Sequence, residues 1–146
     1  MIKAAVAEAK FGDPVSEQFL AKAISDRRLR ILQTFLPKVN PIVDPALDAN
    51  GRLSFRNFAA DMAVADRAPG YRALWYTFDN AADKATLVAT TEAPQSPMPM
   101  PAMPQSEYIK VDISAVGGPE AWTTPVSAYF RRNSSGWTLI GFERMP

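Results

Sequence analysis

The polar side chains that could do chemistry lie in the second half of the chain, on segments that alternate apolar and polar residues. Residues 71–78, 107–116 and 124–132 read YRALWYTF, EYIKVDISAV and TPVSAYFRR, and this period of two is typical of β-strands. If these segments pair, polar side chains from all of them converge on one surface: Tyr76, Tyr108, Asp112, Tyr129 and Arg131. The sequence therefore predicts a candidate site on one face of a sheet.

Two interpretations fit this surface. In the first, Asp112 or Tyr129 acts as the acid or base of an isomerase or hydrolase, and the Arg131 guanidinium stabilises developing charge. In the second, the alternation is that of a solvated sheet face, which needs no chemistry, and Tyr76 and Tyr108 are the side chains that would contact a ligand.

The composition favours the second interpretation. The chain of 146 residues contains no histidine and no cysteine. This excludes a Ser-His-Asp triad, a thiolate nucleophile, disulfides and the usual ligands of zinc, haem and iron–sulfur clusters. We therefore expect no cofactor and no metal. The expected function is a non-enzymatic interaction or ligand-binding module, such as an accessory domain of a larger bacterial protein. A small His-independent pocket enzyme is the alternative.

A short acidic motif has some features of a calcium loop. Residues 48–53 read DANGRL, which resembles the later part of an EF-hand loop, with Gly51 at the turn. The loop's first and last ligand positions, however, fall on Ala46 and Asn57, so the strongest carboxylate ligands are missing. The sequence favours a glycine turn that leads into a helix capped by Ser54.

The segment 94–104, PQSPMPMPAMP, contains five of the chain's prolines and three of its methionines. Such a density of proline favours an extended, stiff loop. We expect a surface loop between two strands whose methionines cover adjacent apolar surface. A Cu(I) site built on the thioethers and a peptide that binds in a partner's groove are the alternatives.

The first half of the chain has helical periodicity. Asp13 can cap a helix that begins at Pro14, and an apolar stripe runs from Val15 to Phe35. The polar stretch 25–28 interrupts the stripe and predicts a helix–kink–helix. Three prolines between residues 37 and 45 predict an extended connector, and a second helix is expected at about 54–67.

The second half has the period of strands. Besides the three segments above, residues 84–91 and 137–144 are predicted strands, and residues 133–136 form the turn of the last hairpin. The chain is thus predicted to be one α+β domain, residues 1–146, with N-terminal helices packed on a curved antiparallel sheet of about four or five strands. Its helical part spans about 13–68, its sheet part about 71–144, and the Pro/Met-rich loop 94–104.

The terminal hairpin, AYFRRNSSGWTLIGFER, follows helices and earlier strands. In this layout, residues 75–144 resemble the NTF2-like or cystatin-like superfamily. The resemblance implies a sheet wrapped around a helix, often with a cone-shaped pocket. The proline-rich insertion departs from the superfamily's usual long strand.

The net charge and the hydropathy of the chain limit the classes of partner that are expected. The formal net charge of +1 gives no reason to expect nucleic acid, and no apolar run approaches the roughly 20 residues of a membrane span. The partner is expected to be a protein or a small molecule, and the chain could form a homodimer. The N-terminal segment does not resemble a secretory signal, because charged residues interrupt the apolar run that such a signal needs: Lys3, Glu8 and Lys10. The compartment, bacterial cytoplasm or periplasm, stays open.

Overall fold

The computed structural model describes residues 2–144. It contains helices and two antiparallel sheets, so the chain belongs to the α+β class, as predicted. The chain divides into two compact units, with the boundary after Phe35. The expectation of a single domain stays a prediction.

The first unit consists of helix α1, Ile2–Glu8, and helix α2, Pro14–Phe35. Asp13 caps α2 as predicted: its carboxylate oxygens accept hydrogen bonds from the backbone N–H groups of Val15 and Ser16, each at 3.1 Å. Proline is well placed at the first helical position because the N–H that it lacks would have no partner inside the helix.

The predicted kink in α2 is wrong, because the helix runs without a break through residues 25–28. Ser25 does not cap a second helix; its hydroxyl donates to the carbonyl of Ala21 at 2.7 Å, within the same helix. Lys22 and Asp26 form an ion pair one turn apart, at 2.6 Å. A polar stretch without glycine or proline can lie on the solvent side of a helix and need not interrupt it.

The predicted apolar stripe is not the side of α2 that α1 covers. Val15 and Phe19 are each 74% exposed, whereas Val6 of α1 and Ala21 of α2 are buried. A small residue such as Ala21 lets two helices approach closely, which the spacing of the large apolar residues does not reveal. No helix among residues 2–144 combines the length and the apolarity needed to cross a membrane.

The second unit is built from two antiparallel sheets. The smaller sheet has the order β1-β2-β5 and consists of β1 Ile42–Leu47, β2 Arg52–Asn57 and β5 Met98–Pro99. The larger sheet has the order β4-β3-β6-β7-β8 and consists of β3 Gly70–Asp79, β4 Lys84–Ala93, β6 Tyr108–Val116, β7 Val126–Asn133 and β8 Gly136–Arg144. The five predicted strands of the second half are therefore confirmed, and the smaller sheet is an addition that was not predicted.

The helix expected at 54–67 is wrong. Residues 52–57 form β2, and only one helical turn, α3 at Phe58–Asp61, follows. Leu53, Phe55 and Asn57 are buried in alternation, and the Asn57 side chain caps α3 by accepting from two backbone N–H groups. Ser54 therefore lies within a strand and caps nothing. The spacing of residues 55 and 58 fits both a helix and a strand that ends in a turn. The strand forms because β2 pairs with β1.

The extended connector expected around the prolines is in part the strand β1, which includes Pro45. β1 lies at the edge of its sheet, where a residue without an N–H group is tolerated. Its pairing with β2 shifts register between Val43 and Ala46, and Asp44 between them has a φ of 54°. The proline is thus accommodated by an irregularity at a sheet edge.

The acidic motif forms the turn of the β1–β2 hairpin. A carboxylate oxygen of Asp48 accepts hydrogen bonds from the N–H groups of Asn50 and Arg52, at 2.9 and 2.8 Å, and Gly51 has a φ of 71°. The glycine turn was predicted correctly, but it leads into a strand and not into a helix. The acidic side chain is used to hold the turn.

The two sheets share one hydrophobic core. The inward side chains of β6, Ile109, Val111 and Ile113, are fully buried, as their alternation predicted. The smaller sheet contributes Ile42, Leu53 and the fully buried Met98, whose backbone pairs with Leu53. Met98 is thus a core residue of a strand, and its placement in a surface loop is wrong, whereas Met100 and Met103 cover apolar surface as expected. The packing of the N-terminal helices on the curved sheet stays a prediction.

Candidate functional site

The strand register of the larger sheet brings polar side chains from β3, β6 and β7 into adjacent rows. Lys110 is paired with Tyr76 on one side and with Tyr129 on the other. In the neighbouring row, Asp112 is paired with Ser127. Because successive side chains point to opposite sides of a strand, all five lie on the side opposite the core. We call the surface formed by these five residues the polar sheet face.

Asp112 lies at the centre of the polar sheet face and is buried. The Ser127 hydroxyl donates to its Oδ1 at 2.6 Å, and the Lys110 ammonium lies 3.2 Å from the same oxygen. The side chains of Lys110 and Asp112 are only 20% and 12% exposed. A carboxylate in this position is tolerated because it has a cation and a hydroxyl donor.

Lys110 is held between two aromatic rings. Its Nζ lies 5.3 Å from the ring centroid of Tyr76 and 5.9 Å from that of Tyr129. The ring of Phe78 packs edge-on against that of Tyr129, with 5.2 Å between centroids. Both cation–ring distances lie within the range in which the ring quadrupole attracts a cation. The ammonium group is therefore fixed in place before any ligand binds.

The hydroxyl groups of the two tyrosines are held in their neutral form. Burial, followed by the charge of Asp112 and hydrogen bonding to it, raises the pKa of Tyr76 above its ordinary value. The pKa of Tyr129 is raised by burial first, and then by the charge of Glu143 and the 3.2 Å hydrogen bond that Tyr129 donates to it, with smaller effects from Asp112 and Asp83. At neutral pH both side chains are therefore hydrogen-bond donors and not bases.

Tyr108 and Arg131 share the same side of the sheet but form a second, separate pair. They are directly opposite each other, and the guanidinium carbon lies 5.7 Å from the ring centroid of Tyr108. Arg131 also forms an ion pair with Glu107 at 3.0 Å. Tyr108 precedes Asp112 by four residues on the same strand, which corresponds to about 13 Å. The structure thus brings together Tyr76, Asp112 and Tyr129, and places Tyr108 and Arg131 at the end of the face.

Two residues of the polar sheet face were not selected from the sequence. Lys110 supplies the cation of the cluster, and Ser127 supplies the hydroxyl that binds Asp112. Their alternation along residues 107–116 and 124–132 placed them on the correct side of the sheet. Only the register showed that they contact the carboxylate.

The donor set of the polar sheet face suits hydrogen bonding better than metal binding. Asp112 and Glu143 are its nearest carboxylates, and each accepts a hydrogen bond from a hydroxyl group of the sheet. Among residues 2–144, no group of three or more Asp or Glu side chains is placed to hold a metal ion.

No protein-family model, curated protein or solved structure matches the chain. The resemblance of residues 75–144 to the NTF2-like or cystatin-like superfamily stays a prediction.

Proposed function

We propose that this chain is a non-enzymatic ligand-binding module, and that its ligand lies on the polar sheet face over Tyr76, Lys110 and Tyr129. One observation carries the proposal: the Lys110 ammonium is fixed between two tyrosine rings while Asp112 is already paired. The Asp112 oxygen already accepts a hydrogen bond from Ser127 and faces the ammonium, whereas the lysine still has N–H groups to donate.

The chemistry of the cluster supports a neutral, planar ligand with an oxygen acceptor. The rings of Tyr76, Phe78 and Tyr129 are only partly buried and offer an apolar surface for stacking. Lys110 can donate to a carbonyl oxygen above them. A ligand with its own negative charge would meet the carboxylates of Asp112 and Glu143, so a carbonyl group fits better than a carboxylate.

The alternative is a His-independent enzyme that uses Asp112, Tyr129 and Arg131. The burial of Asp112 favours it, since active-site carboxylates are often desolvated. Two observations weigh against it. Asp112 is neutralised by Lys110, and Arg131 is paired with Glu107 about 13 Å away along the strands. As a non-enzymatic module, the chain would serve as an accessory domain of a larger bacterial protein.

The test is an NMR titration of the isotope-labelled protein with benzamide, which has a planar ring and a neutral carbonyl group. We expect saturable amide shifts at Tyr76, Lys110 and Tyr129, and weaker binding of benzoate. Tyr129→Leu should weaken benzamide binding because it removes one stacking ring. Lys84→Leu serves as the control, because Lys84 is exposed on the neighbouring strand β4.

Benzamide shifts that spare the polar sheet face, or equal binding by Tyr129→Leu, would contradict the proposal. Turnover of an ester or amide that is lost in Asp112→Asn would support the enzyme instead.

A further inference from the structure

We propose a second binding site, for the oxyanion group of a small organic molecule, in a cavity formed by β2, α3, the start of β3 and residues 94–96. The cavity has a volume of about 220 Å³, and its polar walls include Arg56, Arg67, Tyr71 and Ser96. We call it the Tyr71 cavity. Tyr71 lies on the same side of β3 as the buried Ala73 and Trp75. This side faces the core and is opposite the polar sheet face.

The Tyr71 hydroxyl has a hydrogen with no acceptor. The Asn57 Oδ1 accepts from the backbone N–H groups of Ala59 and Ala60, at 3.1 and 3.2 Å, which fixes the orientation of its amide. The Asn57 Nδ2 therefore donates to the Tyr71 oxygen at 3.0 Å. Tyr71 is only 7% exposed, and within residues 2–144 its own O–H group meets no acceptor.

Ser96, which also lines the cavity, has the same arrangement of donor and acceptor. The backbone N–H of Phe55 donates to the Ser96 Oγ at 2.9 Å, and a backbone N–H can only donate. The serine oxygen is thus the acceptor, and among the described residues its hydrogen has no acceptor. Two hydroxyl donors with occupied oxygens therefore line the same cavity, and both can bind an acceptor atom of a ligand.

The charged residues that line the Tyr71 cavity are Arg56, Arg67 and Asp61, so its lining carries one positive charge in excess. Arg56 forms ion pairs with Asp61 at 2.9 Å and with Asp44, which does not line the cavity, at 3.2 Å. Arg67 forms no ion pair within residues 2–144, so its guanidinium is available to a ligand. A guanidinium and two hydroxyl donors form a set that suits a carboxylate or a phosphate. The rings of Phe55 and Tyr71, 5.0 Å apart, supply an apolar wall for a small organic body.

The test is an NMR titration with sodium phosphate and with sodium acetate, and sodium chloride at equal ionic strength is the control. We expect saturable shifts of the Phe55 and Ser96 backbone amides and of the Asn57 side-chain amide. Tighter binding of phosphate identifies a phosphate ligand, and tighter binding of acetate identifies a carboxylate. If neither anion produces saturable shifts beyond those of chloride, the proposal is overturned.

Substitutions in the lining test whether the anion binds in the Tyr71 cavity. Tyr71→Phe removes the free O–H group but keeps the ring, and we expect about tenfold weaker binding of the preferred anion. Arg67→Gln should have an effect of similar size and should reduce the salt dependence of binding. Arg67 is exposed, so this variant is expected to fold even if Tyr71→Phe, which leaves Asn57 without its acceptor, does not. Arg27→Gln in α2 is the matched control. Unchanged affinity in Arg67→Gln, or an equal loss in Arg27→Gln, would overturn the assignment.

Discussion

Ser127 donates a hydrogen bond of 2.6 Å to the buried carboxylate of Asp112, across the paired strands β7 and β6. The serine is only 2% exposed, so water cannot easily replace it as a donor. The same carboxylate oxygen faces Lys110. This arrangement makes Asp112 a structural centre of the sheet, around which the two tyrosines and the lysine are ordered.

Ser127→Ala should destabilise the fold by about 1–3 kcal/mol, because it leaves a buried carboxylate without its hydroxyl donor. Urea denaturation measures this free energy of unfolding. Ser134→Ala, in the exposed turn of the last hairpin, is the control and should stay within about 0.5 kcal/mol of the parent protein. Equal stability of the two variants would contradict the role of Ser127.

Lys110→Met should also destabilise the protein, because it removes the cation that compensates Asp112. Both side chains retain some exposure, so the expected loss is about 1–3 kcal/mol and not the larger value of a fully buried pair. Denaturant unfolding of the double variant Lys110→Met/Asp112→Asn should show that most of this loss is recovered, since no uncompensated charge is left. Additive effects of the two substitutions would mean that the ion pair contributes no coupling energy.

The raised pKa values of Tyr76 and Tyr129 predict a loss of stability at high pH. Below their ordinary pKa of 10 both groups are protonated whether the chain is folded or unfolded, so this contribution is fully present. As the pH rises above 10, the unfolded chain loses these protons first, and the folded state becomes less stable. An ultraviolet titration of tyrosinate should give higher midpoints for these side chains in the native protein than in urea.

The double variant Tyr76→Phe/Tyr129→Phe isolates this effect, because it removes both titrating groups and keeps both rings. Its free energy of unfolding should fall less steeply above pH 10 than that of the parent protein. A decline of the same steepness would assign the pH dependence to other groups.

The local rules of the sequence were sufficient for most of the larger sheet. The alternation in 107–116 placed Ile109 and Val111 on the core side and Lys110 and Asp112 on the other, as the structure has them. Asp13 likewise marked the start of α2 correctly. These predictions hold because the direction of a side chain and the capping of a helix depend on residues adjacent in the chain.

The smaller sheet could not be predicted in this way. The spacing of Phe55 and Phe58 fits a helix as well as a strand, and only the pairing of residues 52–57 with β1 and β5 selects the strand. Met98 looked like part of a surface loop, but it is fully buried because it pairs beside Leu53. Pairing between strands decides both outcomes, with β1 across a short turn and with β5 far along the chain, and no local periodicity encodes it.

For the candidate site, too, some features follow from the sequence and others only from the tertiary structure. The sequence by itself determined which residue types are present and on which side of each strand they lie, since both follow from the covalent chain. The tertiary structure alone decided the register, which puts Lys110 between Tyr76 and Tyr129 and sets Arg131 apart from Asp112. Register depends on hydrogen bonds between distant strands, and a shift of one residue would have turned these side chains into the core.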